Sequence, residues 1–119
     1  MARDAPSIDA YGDGGFRLSG QRHEGSLLIL RDTAQVWPVG VMEDLSVEAF
    51  EPILSVGRNA VELVLLGTGA RNALPPREVR ERLRRAGLGL EFMDTPAAAR
   101  LYNLLTSEGR RIAAALIAI

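Results

Sequence analysis

The sequence predicts an α/β domain, and three observations predict it. Val61–Leu66 is apolar at five of six positions, with Glu62 the exception, as in a strand buried on both faces. Pro75-Pro76 opens a segment in which Val79, Leu83 and Ala86 recur at helical spacing before Gly87. Apolar strand patterns and helical patterns then alternate to the last residue, which indicates helices packed on a sheet.

Taken in order, residues 1–14 read as an irregular arm, and residues 15–119 as one α/β domain. Phe16 and Leu18 alternate with Arg17 and Ser19 in a short strand, "QRHEG" reads as a turn, and "SLLILRD" as a buried strand. A turn at Asp32-Thr33-Ala34 leads into "QVWPVG", where Pro38 marks a strand end. Ser46 is the expected N-cap of a short helix burying Ala49, Phe50, Ile53 and Leu54, which Pro52 should break or tighten into 3₁₀ form.

After the strand at 61–66 comes the helix opened by the two prolines, its outer face carrying Glu78–Arg82 and Glu81–Arg85 at i, i+4. "LGLEFMD" is a further strand. Thr95 is the expected cap of a third helix, with Pro96 at its first position, Ala97, Leu101, Leu104 and Leu105 inward, and Gly109 at its end. "RRIAAALIAI" is a terminal strand. The order is β-β-β, short α, β-α-β-α-β.

Composition removes most catalytic chemistry. At 119 residues, fourteen arginines stand against fifteen acids for a formal charge of −1, too little positive field for non-specific nucleic-acid binding. No cysteine means no disulfide, thiolate nucleophile or zinc-thiolate site, and no lysine means no Schiff base or P-loop lysine. The single histidine, His23, lies in a polar stretch beside Glu24, where a solvated side chain is the common outcome. Trp37, the one tryptophan, reads as a packing residue. "MARDAPSIDAYGDGG" lacks the apolar stretch of a secretory signal, and "AAALIAI" is too short to span a bilayer, so the sequence predicts a cytoplasmic protein without a membrane span.

"LVLLGTGARNALPP" is the one stretch with the outline of a phosphate loop. A dinucleotide fingerprint needs a third glycine where Asn72 stands, and a P-loop needs a lysine. What remains is Gly67, Thr68 and Gly69 at the end of a central strand, with Arg71 and Arg77 nearby to hold an anion. Glycines that permit a tight turn are the more common explanation of such a segment. The five arginines between Arg77 and Arg85, offset by Glu78 and Glu81, read as a solvated face; an acidic partner is the sharper alternative. Arg100 and Asn103 should face outward on the third helix, with Tyr102 beside them, as a candidate surface for a protein partner.

From Val61 to Ile119, and in "YGDGGFRLSG" and "GSLLIL", the sequence resembles the Mth938-domain family (DUF498), which includes mitochondrial complex I assembly factor 3 proteins. The Gly-Thr-Gly, the glycine before "LGLEFMDT" and the "A-x-R-x-Y-N-x-L" segment arrive in family order. Leu101 stands where threonine is frequent, and Gly109 where an acid is common. The resemblance implies a three-layer fold around a central mixed sheet and a bacterial assembly factor acting on another protein, possessing no catalytic, cofactor-binding or metal-ligating residue. The alternative is an enzyme binding a small molecule or anion at the Gly-Thr-Gly loop, with Arg71 or Arg77 holding charge and Glu91 or Asp94 moving a proton. The residues name neither the partner nor the oligomeric state.

Overall fold

Three two-residue turns shape the first third of the chain, each with two successive left-handed residues: Asp13-Gly14, Ser19-Gly20 and Arg31-Asp32. Such turns match the right-handed twist of the strands that they join. In the computed structural model, which describes residues 5–119, they close the hairpins β1 (Ile8–Gly12) to β2 (Gly15–Leu18), β2 to β3 (Gln21–Glu24), and β4 (Leu27–Leu30) to β5 (Thr33–Val36). Three expectations change here. "QRHE" is a strand, because the turn falls earlier at Ser19-Gly20, and the second turn is Arg31-Asp32 rather than residues 32–34. Part of the supposed irregular arm is also β1, an edge strand that buries Ile8 alone and so carries no alternation; residues 1–4 lie outside the described residues.

Val47–Phe50 is 3₁₀ and continues as α1 (Glu51–Val56), with Pro52 in its first turn, where a missing amide costs nothing. The Ser46 side chain makes no capping bond; its carbonyl accepts from the Ala49 amide at 3.2 Å. The remaining elements are β6 (Leu63–Gly67), α2 (Arg77–Arg85), β7 (Gly89–Met93), α3 (Thr95–Ser107) and β8 (Ile112–Leu116).

β1, β2 and β3 form an antiparallel meander. The second sheet is mixed, in the order β5-β4-β8-β6-β7, with β6 parallel to both β7 and β8 and β4 antiparallel to its neighbours. Its two faces bury separate clusters. One joins Trp37, Phe50, Ile53, Val79 and Leu83 to Val64 and Leu66; the other joins Ile8, Phe16, Leu18, Tyr102 and Leu105 to Leu65 and Leu116. The architecture is therefore three layers about a five-stranded mixed sheet. Every residue of β8 is buried, and its alanines suit a strand covered on both faces, where small side chains let the layers approach. Trp37 packs as expected, donating its indole N–H to the Ala49 carbonyl at 2.8 Å and meeting Phe50 edge-on at 5.7 Å. Among the described residues, no helix is long and apolar enough to cross a membrane.

Candidate functional site

The Gly-Thr-Gly segment leaves the carboxyl end of β6, where open α/β sheets place ligands. Its polar groups are already engaged. The Thr68 amide donates to the Met93 carbonyl at 2.8 Å, and the Gly69 amide donates to the Thr95 hydroxyl oxygen at 3.0 Å. The Gly67 carbonyl accepts from Ile117 at 3.0 Å, and the Thr68 hydroxyl donates to the Arg71 carbonyl at 2.6 Å. An anion-binding loop presents free amides to its ligand; here the amides of Thr68 and Gly69 point into protein.

Both glycines have structural reasons. Gly69 has φ 106°, a region that side chains disfavour. A Cβ on Gly67 would lie 2.8 Å from the Thr95 hydroxyl and 3.0 Å from a Leu116 methyl. The two arginines do not converge. Arg71 lines a groove of ≈ 500 Å³ between the loop, Val41–Glu43 and Ile117–Ile119, whereas Arg77 lines a separate depression with Glu78 and Glu81. Both are exposed, and neither makes an ion pair among the described residues.

Thr95 is the residue whose role the sequence hides. It does not cap α3: Asp94 does, accepting the Ala97 amide at 2.9 Å. Thr95 is fully buried instead, accepting from Gly69 and donating to the Ile117 carbonyl at 2.7 Å, so one hydroxyl ties the β6 loop, the start of α3 and the end of β8. The signal for the cap was present in "DTP", since Asp94 stands three residues before Ala97 as a capping residue should. The partners of Thr95 are distant in sequence and left no local trace.

The inward face of α3 also differs from expectation. Ala98, Ala99, Tyr102, Leu105 and Thr106 are buried, and Leu104 is 55% exposed. Tyr102 has no exposed surface and is removed from the candidate partner surface. Asn103 is half-buried and employed: its amide donates to the Ile8 carbonyl at 2.9 Å, and its oxygen accepts the Ile8 amide at 2.9 Å, fixing β1 to α3. Arg100 remains exposed, with its guanidinium 3.4 Å from the Tyr11 hydroxyl. On α2, Glu81 pairs with Arg84 at 2.6 Å, an i, i+3 contact in place of the two expected i, i+4 pairs. The hydrogen bond from Arg84, followed by its charge, holds the Glu81 carboxyl below the usual range. His23 sits on β3 opposite Phe16, and among the described residues no acidic or histidine cluster is arranged to hold a metal. Glu91 lies exposed on β7, and the Asp94 carboxylate is taken up by its cap.

Residues 8–117 match the family model described as "Protein of unknown function (DUF498/DUF598)". An uncharacterized protein of Rhodobacter capsulatus is 41% identical over 110 residues, covering 92% of this chain and 82% of that one. NADH dehydrogenase [ubiquinone] 1 alpha subcomplex assembly factor 3 of Rattus norvegicus is 36% identical over 110 residues; the match covers 92% of this chain but 59% of the rat protein's length. A Bordetella pertussis protein solved as a Mth938-like domain superposes with a TM-score of 0.85 at 29% identity, over 99% of this chain and 89% of that one. With the match running through every strand and helix from β1 to β8, the chain belongs to the DUF498/DUF598 family and has the Mth938-like fold.

Proposed function

We propose that this protein is a non-enzymatic interaction or assembly factor that acts on another protein during assembly of a membrane respiratory complex, an NADH dehydrogenase being the first candidate. A bacterial, cytoplasmic setting is part of the same proposal. The observation that carries it is the similarity to the rat assembly factor along 92% of this chain. The closed Gly-Thr-Gly loop supports the same reading, since its amides have no capacity left for a phosphate or carboxylate.

Deleting the gene in the native organism and resolving NADH dehydrogenase on native gels tests the proposal. Assembled complex should fall, subcomplexes should accumulate, and reintroducing the gene should restore both. Unchanged complex in the deletion strain would sink the assembly role.

A further inference from the structure

β7 is an outer strand of the five-stranded sheet and hydrogen-bonds β6 alone. The Gly89 amide donates to the Glu62 carbonyl at 3.4 Å, and the Met93 carbonyl accepts the Thr68 amide at 2.8 Å. These contacts turn the backbone groups of residues 89, 91 and 93 toward β6. Strand alternation therefore points the N–H and C=O groups of Leu90 and Phe92 off the sheet, where no described residue meets them. An edge of this kind is a template for another strand, and β7 has neither the proline nor the bulge that commonly blunts one.

The ground beside this edge is apolar. Leu90 and Phe92 are half-buried against the α2 layer, and Met93 and Leu101 against the α3 layer. Asn103 holds one flank of α3 to β1, so the helical period places Leu101 on the opposite flank, the β7 side, with the exposed Leu104 on the outward face next to it. One charge interrupts the strip: Glu91, exposed, its side chain on the α3 face.

Resting on the reading of a protein partner, we propose that the β7 edge receives an extended segment of that partner as a sixth strand, with an arginine or lysine opposite Glu91. The open backbone groups specify a strand, the flanks specify alternating apolar side chains, and Glu91 specifies the cation. A second copy of this chain does not fit. The two-fold antiparallel register that pairs Leu90 with Phe92 of the other copy centres on Glu91 and sets two carboxylates face to face, which destabilises the pairing. Centring on Leu90 would require the Leu88 amide, already donated to Leu83 at 3.1 Å. Centring on Phe92 would require Asp94, where the chain has turned into the cap of α3.

The test uses ¹⁵N-labelled protein and two synthetic nonapeptides of alternating threonine and valine, with valines flanking a central arginine in one and a central glutamate in the other. Leu90 and Phe92 amides should exchange readily in the free protein and be slowed by the arginine peptide, with shifts confined to β7 and the adjoining flank of α3. The glutamate peptide should bind about fivefold more weakly, and Glu91→Arg, with unchanged melting, should reverse that order. Leu90 and Phe92 protected without peptide, shifts mapping elsewhere, equal binding of the two peptides, or no shift at the highest soluble concentration would each overturn the proposal. Protection that grows with protein concentration, alongside a dimer mass in sedimentation, would assign the edge to a second copy and overturn it as well. None of these outcomes alters the native-gel result, so failure of the edge and failure of the assembly role are distinguishable.

Discussion

Gly69 and Thr95 are bonded in both directions: the Thr95 amide donates to the Gly69 carbonyl at 2.8 Å, and the Gly69 amide donates to the Thr95 hydroxyl at 3.0 Å. That same hydroxyl donates to the Ile117 carbonyl at 2.7 Å. A segment with the outline of a ligand loop is thereby converted into a strut between β6, α3 and β8.

Thr95→Val keeps the shape and removes the hydroxyl, leaving the Gly69 amide and the Ile117 carbonyl unpaired in the interior. The expected loss in urea unfolding is about 1–3 kcal/mol, with Thr95→Ser losing less. A larger loss in Thr95→Ser than in Thr95→Val would mean that the methyl, not the hydroxyl, carries the stability.

Gly67→Ala forces a methyl against the Thr95 hydroxyl and Leu116, an overpacking worth about 1–3 kcal/mol. Gly69→Ala faces open space, with its nearest contact at 3.8 Å, but is strained by its positive φ, and should cost more than about 1 kcal/mol. Thermal melts check both. Variants that melt like wild type yet fail to complement the deletion strain would return the loop to the status of a ligand site.

Calorimetric titration with NAD or ATP should give no saturable heat at micromolar concentrations. The reason is geometric as well as compositional: Asn72 replaces the third glycine, and the amides of Thr68 and Gly69 are spent inside the protein.

Asn103→Ala should destabilise by about 1–2 kcal/mol and speed exchange of the Ile8 amide, because two bonds between α3 and β1 are lost together. Arg100→Ala should stay within about 0.5 kcal/mol, its contact with Tyr11 being long and exposed. If Asn103→Ala retains wild-type stability, the side chain is available to a partner after all.

Acidification gives a further check. Glu81 is held below the usual carboxyl range by Arg84, so its folded value lies under its unfolded one. Its contribution is then fully present above the unfolded value and is lost as pH falls through the folded one. Glu81→Gln should therefore flatten the acid limb of the stability profile by lowering stability near neutrality and leaving the acid end unchanged, a small effect because the pair is exposed. An unchanged acid limb would show that Arg84 stabilises nothing.

The sequence by itself determined the α/β order from β6 onward, the boundaries of α2, the packing of Trp37 and the exclusion of thiol and lysine chemistry. These were legible because each depends on neighbours along the chain: α2 has a polar face set against Val79 and Leu83, and a continuous apolar run such as Val64–Leu66 suits few places other than a buried strand. Tertiary structure decided the rest. α3 carries alanines and leucines around most of its circumference, so periodicity cannot choose its inner face, and only the sheet beneath it puts Tyr102 inside and Leu104 outside. β1 buries Ile8 alone and exists because β2 and Asn103 satisfy its backbone. Thr95 reads as a cap in "DTP" and becomes a strut because its partners lie 26 and 22 residues away, Gly69 before it and Ile117 after it. A hydroxyl's choice among competing acceptors is settled by which of them the fold brings within 3 Å, and no local pattern encodes that.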